Sequence, residues 1–362
     1  MVRLAANKLQ LNSLPSWFWN LPKLSWLAIA GNIASDGNNN NNNNNNNYNN
    51  NNDNNRNNNA HNKDQLSINT IDWTDLDIME KLGEGASGII YKAKWHSNNS
   101  SKKNLTSEEA PIDNNKIPEN YDEIFVAVKL FKGGKTSDGL PEDEMKASEA
   151  AGKHYCSFEV LGRIKNAPNN QLGLVMPLIP KDYYVLGGPP SFTTVTRDTF
   201  DVDKKFKLED MLRILTGISS VCAHLHKRGI SHGDLYAHNI LVNEAGACLL
   251  SDFGASSFYQ RINTDDIGLT TNCERDSVVG MISNAMERFE VRAFGCLTED
   301  LLDRVADVCI DSYDTDIYSK ALQDLSVLKS ECTSLHLTAR PTFLSINRKL
   351  VEITHSILKF TS

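Results

Sequence analysis

The sequence lacks long hydrophobic runs, an excess of basic residues and paired cysteines. Its most apolar early stretch, residues 14–31, is interrupted by Pro15, Pro22 and Lys23, so we expect neither a signal peptide nor a membrane span. The net charge of −8 gives no indication of nucleic-acid binding. Seven scattered cysteines without a CxxC pair predict reduced thiols in a cytoplasmic protein. At 362 residues, the chain can bury a sizeable core.

Residues 1–37 carry an imperfect repeat. LAANKL at 4–9 is echoed by IAGNIA at 29–34, which puts Asn7 and Asn32 at equivalent positions. The pattern is similar to a leucine-rich repeat, but only about one and a half units are present, and such repeats need roughly three to bury a continuous core. We expect a piece of a longer array or a segment that packs on the next domain. A disordered apolar arm is the alternative, and a protein partner for the repeats is left open.

Residues 38–70 are predicted to be a disordered linker. From Asn38 to Asn59, only Tyr48, Asp53 and Arg56 interrupt a run of asparagine. Such a tract cannot bury enough apolar surface to offset the entropy lost on ordering.

Two acid-bearing loops flank a predicted hairpin in residues 229–254. The first contains Asp234, with Asn239 five residues later, and the second is Asp252-Phe253-Gly254. The strands between them are ILV at 240–242 and CLL at 248–250, with a turn at 243–246. A tight hairpin would gather two carboxylates and a carboxamide into one cleft, which is the set of groups that phosphoryl transfer with Mg²⁺ requires.

A glycine loop and a strand lysine lie upstream. The loop is G-x-G-x-x-G, and the β-branched and aromatic residues 89–95 after it predict a strand rather than the helix of a dinucleotide site. Lys129 lies in the middle of the apolar run 125–131, where a lysine is costly unless it is paired. The three glycines are Gly83, Gly85 and Gly88.

These stretches together resemble the protein kinase family. HGDLYAHN resembles its catalytic loop, DFG matches its metal-binding loop, and VAVK resembles the strand of its phosphate-contacting lysine. With the repeat upstream, the chain looks most like the leucine-rich-repeat-containing protein kinases. The resemblance implies an α+β bilobal domain over residues 71–360, with a small β-rich N-lobe of about 71–176 and a mainly helical C-lobe of about 180–360.

The resemblance also implies roles for the catalytic residues. Asp234 would accept the substrate hydroxyl proton, Lys129 would contact the α- and β-phosphates of ATP, and Asn239 and Asp252 would hold Mg²⁺ or Mn²⁺. Lys129 needs a carboxylate partner, and we expect Glu144, on a helix-forming stretch with acids in its first turn. Glu142 and Glu159 are the alternatives.

A nucleotide site is implied between the lobes. Met176 would lie behind the adenine, while the Pro177 carbonyl and the Ile179 N–H would face its edge. The complete set expected to contact the nucleotide is Gly83, Gly85, Gly88, Ile90, Ala127, Lys129, Met176, Pro177, Ile179 and Leu241.

The sequence departs from the kinase pattern in the catalytic loop. Gly233 replaces the usual Arg, and Tyr236 stands where serine/threonine kinases place the Lys that steadies the γ-phosphate, so His238 is the candidate replacement. No A-P-E motif closes the segment 255–288. We predict a protein kinase that acts on Ser or Thr rather than Tyr. A small-molecule phosphotransferase and a nucleotide-binding scaffold without activity are the alternatives.

Overall fold

The protein folds into a small β-sheet lobe and a larger helical lobe, as predicted, with a short N-terminal segment packed against them. The computed structural model describes residues 1–32, 69–96, 124–136, 138–194, 196–260, 278–306 and 315–361. The predicted linker, residues 38–70, lies outside these ranges except for its last two residues, and Thr70 already begins a strand.

Residues 1–32, called the N-terminal segment below, form two short parallel strands, β1 (Val2–Arg3) and β2 (Leu27–Ala28). The Asn32 Oδ1 accepts hydrogen bonds from the backbone N–H groups of Asn7 (3.2 Å) and Leu9 (3.0 Å), which links the turn after β1 to the residues that follow β2. Its apolar side chains pack on the helical lobe rather than on further repeats. The packed set includes Phe18, Trp19, Leu24, Leu27 and Ile29 on the segment and Ala285, Met286 and Phe289 on the lobe.

The small lobe is one six-stranded sheet with the order β3-β7-β8-β6-β5-β4. Apolar and β-branched residues dominate its central strands, and one face of the sheet packs into an apolar cluster that includes Ala93, Val126, Val128 and Val175. The strands are β3 (Thr70–Asp72), β4 (Leu76–Glu84), β5 (Gly88–Trp95), β6 (Ile124–Phe131), β7 (Gly162–Lys165) and β8 (Gly173–Pro177).

One helix, α1 (Pro141–Ala151), lies beside this sheet. Pro141 occupies its first turn, where the missing N–H costs nothing, and Glu142, Asp143 and Glu144 complement the positive end of its dipole. The helix ends at Gly152, whose φ of +66° suits glycine.

The large lobe is built on four helices and short strands among the described residues. The helices are α2 (Leu208–Lys227), α3 (Val278–Leu302), α4 (Thr315–Cys332) and α5 (Phe343–Thr361). The strands are β9 (Tyr184–Val185), β10 (Ile230–Ser231), β11 (Ile240–Val242), β12 (Cys248–Leu250) and β13 (Ser257–Phe258). No helix in the described ranges has the length and apolar composition needed to cross a membrane.

Choosing Glu144 as the partner of Lys129 makes residues 158–164 a candidate strand, but β7 begins only at Gly162 and runs to Lys165. A Cβ at Gly162 would lie 2.8 Å from the carbonyl oxygen of Asn69, the residue before β3. Within residues 255–288, the segment that no A-P-E motif closes, helix α3 begins at Val278.

Candidate active site

Lys129 and Glu144 form a buried ion pair between β6 and α1. The Lys129 Nζ donates to Glu144 Oε1, and the two side chains are only 14% and 4% exposed. The alternative, Glu159, lies 3.8 Å from Lys153 at the surface. Burial of Glu144 raises its pKa, and the nearby charge of Lys129 opposes that effect. A buried lysine on a central strand is thus neutralised by the one carboxylate that α1 turns toward it.

The glycine loop joins β4 to β5 above this pair. A Cβ placed on Gly83 or Gly85 would meet no atom within 4 Å, so packing does not require glycine at either position. Gly88 is different, because a Cβ there would lie 2.7 Å from the Leu130 carbonyl oxygen and 3.3 Å from the Lys129 side chain. Gly83 and Gly85 therefore leave open space over the loop, where the Gly85 N–H donates to the Gly88 carbonyl at 2.9 Å, and Gly88 lets β5 approach β6.

One face of the sheet collects the residues expected behind the nucleotide. Ile90 pairs with Lys129 across β5 and β6, and Ala127 pairs with Met176 across β6 and β8. Residues directly opposite share a face, as do residues two apart on one strand, so all four lie on the same side of the sheet.

The remaining expected nucleotide contacts lie at or beyond the end of this sheet. Pro177 is the last residue of β8 and Ile179 follows it, in the connection between the lobes. Leu241 is half-buried in the middle of β11, in the large lobe.

The predicted hairpin of the large lobe is confirmed. β11 and β12 pair antiparallel, with Ile240 opposite Leu250, so the loops before and after them lie at one end. Asn239 Nδ2 donates to the Asp234 backbone carbonyl (2.9 Å) and to Asp234 Oδ2 (3.1 Å). The carboxamide and the carboxylate are therefore held together, five residues apart in the same loop.

Asp252, in the loop after β12, lies beside Glu144 of α1. Its backbone is left-handed, with a φ of +58°, and its Oδ1 accepts from the Gly254 N–H at 3.1 Å. A Cβ built on Gly254 would lie 3.1 Å from Asp252 Oδ1 and 3.7 Å from Glu144 Oε2. The carboxylates of these two residues thus converge from different lobes on one small space.

His238 is turned toward Asp198. Its Nδ1 lies 2.8 Å from Asp198 Oδ1, and the other carboxylate oxygen of Asp198 accepts from the Ala237 N–H. No motif in the sequence singles out Asp198, which lies in the long loop before α2. The imidazole that was expected to reach a phosphate is thus engaged by a buried carboxylate.

Glu290, on α3, forms hydrogen bonds with the backbone of the catalytic loop. Its carboxylate accepts from the N–H groups of His232 (3.2 Å) and Gly233 (2.7 Å) and lies 2.6 Å from His226 Nε2. Burial alone would raise the pKa of Glu290, but the hydrogen bond and charge of His226 lower it overall. Glu290 therefore fixes the backbone just before Asp234.

Arg3 approaches the site from the N-terminal segment, which sequence reasoning missed. Its guanidinium Nη2 lies 3.6 Å from Asp234 Oδ1, and its Nη1 pairs with Asp138 in the loop before α1. Burial raises the pKa of Asp234, and the positive charge of Arg3 is the largest opposing influence. No sequence signal connects a residue in an N-terminal repeat to a loop so far along the chain.

Residues 76–275 match the family described as protein tyrosine and serine/threonine kinase. This match spans more than half of the chain and both loops of the site. The chain belongs to the protein kinase family.

Curated kinases from several organisms are similar to it at low identity. The probable serine/threonine-protein kinase gdt2 of Dictyostelium discoideum is 23% identical over 79% of this chain and 16% of its own length. The probable serine/threonine-protein kinase gdt4 of the same organism is 28% identical over 51% of this chain and 9% of its own. Activin receptor type-1 of Gallus gallus is 22% identical over 78% of this chain and 59% of its own. The chain therefore spans less than two thirds of the length of each of these relatives.

The kinase site fits Mg-ATP, which the family implies. Both hydrogen bonds that the Asn239 side chain makes with described residues use Nδ2, which leaves Oδ1 as a hard oxygen donor beside Asp234. The described ranges contain no cluster of three or more His, Cys, Asp or Glu side chains suited to a metal. An amide and a carboxylate completed by phosphate oxygens and water need no such cluster.

Glu287 is the partner that the sequence suggests for Arg340, but the two do not pair, because Glu287 Oε1 accepts from the Phe343 N–H at the start of α5. The buried Arg340 guanidinium instead donates to three backbone carbonyls, and burial lowers its pKa to about 10. The accepting residues are Ser334, Arg288 and Pro22.

Proposed function

We propose that this chain is an active protein kinase that transfers the γ-phosphate of Mg-ATP to a serine or threonine hydroxyl. The observation that carries the proposal is the buried Lys129–Glu144 ion pair next to Asp252. A charged pair buried between two elements is costly to maintain for stability alone, and it is the arrangement that active kinases require. The names of the Dictyostelium discoideum relatives support serine or threonine as the acceptor.

In the proposed reaction, each residue has one task. Asp234 orients the acceptor hydroxyl and accepts its proton as the hydroxyl oxygen forms a bond to the γ-phosphorus. The bond from that phosphorus to the bridging oxygen breaks, and ADP leaves. Lys129 binds the α- and β-phosphates. Asn239 and Asp252 would hold Mg²⁺, and the ion would supply positive charge to the phosphate oxygens.

The nucleotide would lie between the lobes. Gly83 and Gly85 put no side chain into the space over this loop, which supports a phosphate lying there. Ile90, Ala127 and Met176 supply an apolar face for the adenine. The Pro177 carbonyl, the Ile179 N–H and Leu241 complete the proposed pocket, together with Gly88 at the end of the loop.

We also infer that the N-terminal segment derives from a leucine-rich repeat array. The parallel pairing of β1 with β2 and the Asn32 hydrogen bonds to Asn7 and Leu9 support this inference. In such repeats, an asparagine side chain bonds the backbone of the turn. The packing of this segment on α3 accounts for how so few units bury their apolar face.

A phosphotransfer assay with labelled ATP tests the proposed function. Wild type and the Asp234→Asn variant are each given Mg-ATP with protein acceptors and, separately, with amino sugars and amino alcohols. We expect transfer to protein serine or threonine and its loss in Asp234→Asn. Transfer only to a small molecule would identify a small-molecule phosphotransferase. Nucleotide binding with no transfer to any acceptor would identify a scaffold, the alternative that the Asp198-bound His238 favours.

A further inference from the structure

The departures of the catalytic loop from the kinase pattern all face the N-terminal segment. A Cβ at Gly233 would lie 3.0 Å from the Leu27 carbonyl oxygen and 2.4 Å from that of Ala255, so β2 and the loop after β12 fill the space of the usual Arg side chain. The φ of +80° at Gly233 adds a second reason for glycine. The missing Arg is thus explained by what packs against this position.

The second departure, Tyr236, is covered by Trp26. The two rings stack with centroids 4.4 Å apart and an interplanar angle of 3°. The Trp26 indole N–H donates to the Leu235 carbonyl at 2.9 Å, in the same loop. A residue of the N-terminal segment therefore fixes the position where serine/threonine kinases have a lysine.

The segment also contacts the small lobe, so it bridges the cleft. Lys135 Nζ donates to the Ala6 carbonyl at 2.8 Å, and Asp138 pairs with Arg3. On the large lobe, Arg340 donates to the Pro22 carbonyl at 2.5 Å, and the Ser257 hydroxyl accepts from the Ile29 N–H at 3.2 Å. Contacts with both lobes therefore fix the position of the segment that carries Arg3.

The cations near Asp234 differ in the carboxylates that they contact. Lys129 is paired with Glu144, and His238 with Asp198. Arg3 is the cation that the described residues place within 4 Å of the Asp234 carboxylate, and its side chain is one third exposed. The Arg3 Nε also donates to Met1 Sδ at 3.3 Å, and a guanidinium of this kind binds phosphate oxygens as readily as it binds carboxylates.

We propose that Arg3 supplies the cation for the transferring phosphate in place of the lysine that this catalytic loop lacks. The N-terminal segment is then part of the catalytic site, and the kinase domain without it is incomplete. This inference rests on the proposed function. It requires only that the guanidinium bind a γ-phosphate oxygen while it stays beside Asp234.

Nucleotide affinity tests this role without relying on activity. Binding of Mg-ADP and of Mg-AMP-PNP, which carries a γ-phosphate, is measured by calorimetry on the full chain and on three variants: Arg3→Ala, Arg3→Lys and Lys23→Ala. Lys23 is an exposed cation of the same segment and serves as the matched control. We expect Arg3→Ala to lower AMP-PNP affinity roughly tenfold with ADP affinity unchanged, since a charge-assisted bond to the γ-phosphate is lost. Arg3→Lys should restore part of it, and Lys23→Ala should match wild type.

Turnover provides the second readout. Arg3→Ala should lower kcat roughly 100-fold, as expected for loss of one preorganised group at the transferring phosphate. Equal AMP-PNP affinity and equal kcat in wild type and Arg3→Ala would overturn the proposal. Faster transfer by Arg3→Ala would also overturn it and would show that the segment blocks the site.

Folding and activity controls keep the two proposals separate. If the thermal midpoint shows that Arg3→Ala does not fold, Arg3→Lys is compared with Arg3→Gln instead, and the ratio of AMP-PNP affinity to ADP affinity is measured for both. A ratio closer to wild type in Arg3→Lys than in Arg3→Gln supports the role of Arg3. The same ratio in both variants opposes it. If wild type binds no nucleotide, the proposed kinase function fails first. If wild type transfers phosphate and all Arg3 variants do so equally, only the role of Arg3 fails.

Discussion

The indole of Trp26 lies parallel to the phenol ring of Tyr236, with centroids 4.4 Å apart. The pair joins a repeat-like segment to a catalytic loop, and both residues are buried. Stacked aromatic pairs contribute about 0.5–1.5 kcal/mol beyond their buried area. A double-mutant cycle with Trp26→Leu and Tyr236→Leu, measured by urea unfolding, should therefore give a coupling free energy in that range. Strictly additive effects would mean that the segment does not pack on the loop.

The glycine loop gives a second prediction, because its glycines serve different purposes. Gly88→Ala should destabilise the fold by about 1–3 kcal/mol, since its Cβ would meet the Leu130 backbone at 2.7 Å. Gly83→Ala should leave the thermal midpoint nearly unchanged, because its Cβ would meet no atom within 4 Å. It should raise KM for ATP, because the added methyl group would occupy space proposed for the phosphates. Thermal unfolding and initial rates on both variants check this. A large loss of stability in Gly83→Ala would contradict it.

The small-lobe strands around Lys129 and the hairpin of residues 240–250 were predictable because their signals are local. Alternating or apolar runs, glycines and a turn mark them within a few residues. The choice of Glu144 over Glu159 was also reachable, since only Glu144 lies in the acidic first turn of a helix.

The contacts of Arg3 and the engagement of His238 by Asp198 could not be predicted in this way. Both depend on where a segment without a distinctive pattern packs, and tertiary contacts alone fix that position. The same reason explains Arg340, whose guanidinium reaches the Pro22 carbonyl of the N-terminal segment instead of Glu287.

The ion pair of the small lobe gives a third prediction. Glu144→Gln should lower kcat/KM for phosphotransfer roughly 100-fold, because Lys129 then loses the charged group that aligns it for the phosphates. Glu159→Gln is the matched control, since Glu159 pairs with Lys153 at the surface. Steady-state rates of both variants decide the matter. Equal losses in the two variants would remove the special role of Glu144.

His154 predicts how stability depends on pH. Burial, together with the charge of His224, lowers the pKa of His154 to about 4. Its Nδ1 accepts from the Cys156 N–H at 3.1 Å, which only the neutral ring can do. Because the unfolded pKa of about 6.5 is higher, the unfolded chain binds the proton first, and stability is lost as the pH falls from 6.5 toward 4.

The His154→Asn variant checks this prediction, since an amide oxygen can also accept from the Cys156 N–H. Between pH 7 and pH 4, the thermal midpoint of wild type should fall further than that of His154→Asn. Parallel curves for the two proteins would show that His154 does not stay neutral in the folded state.

A structure with Mg-AMP-PNP bound tests the central claim most directly. We expect Lys129 Nζ at the α- and β-phosphates, Asn239 and Asp252 on the metal, and the Arg3 guanidinium on a γ-phosphate oxygen next to Asp234. A nucleotide bound away from Lys129, or a metal held by neither Asn239 nor Asp252, would contradict the account.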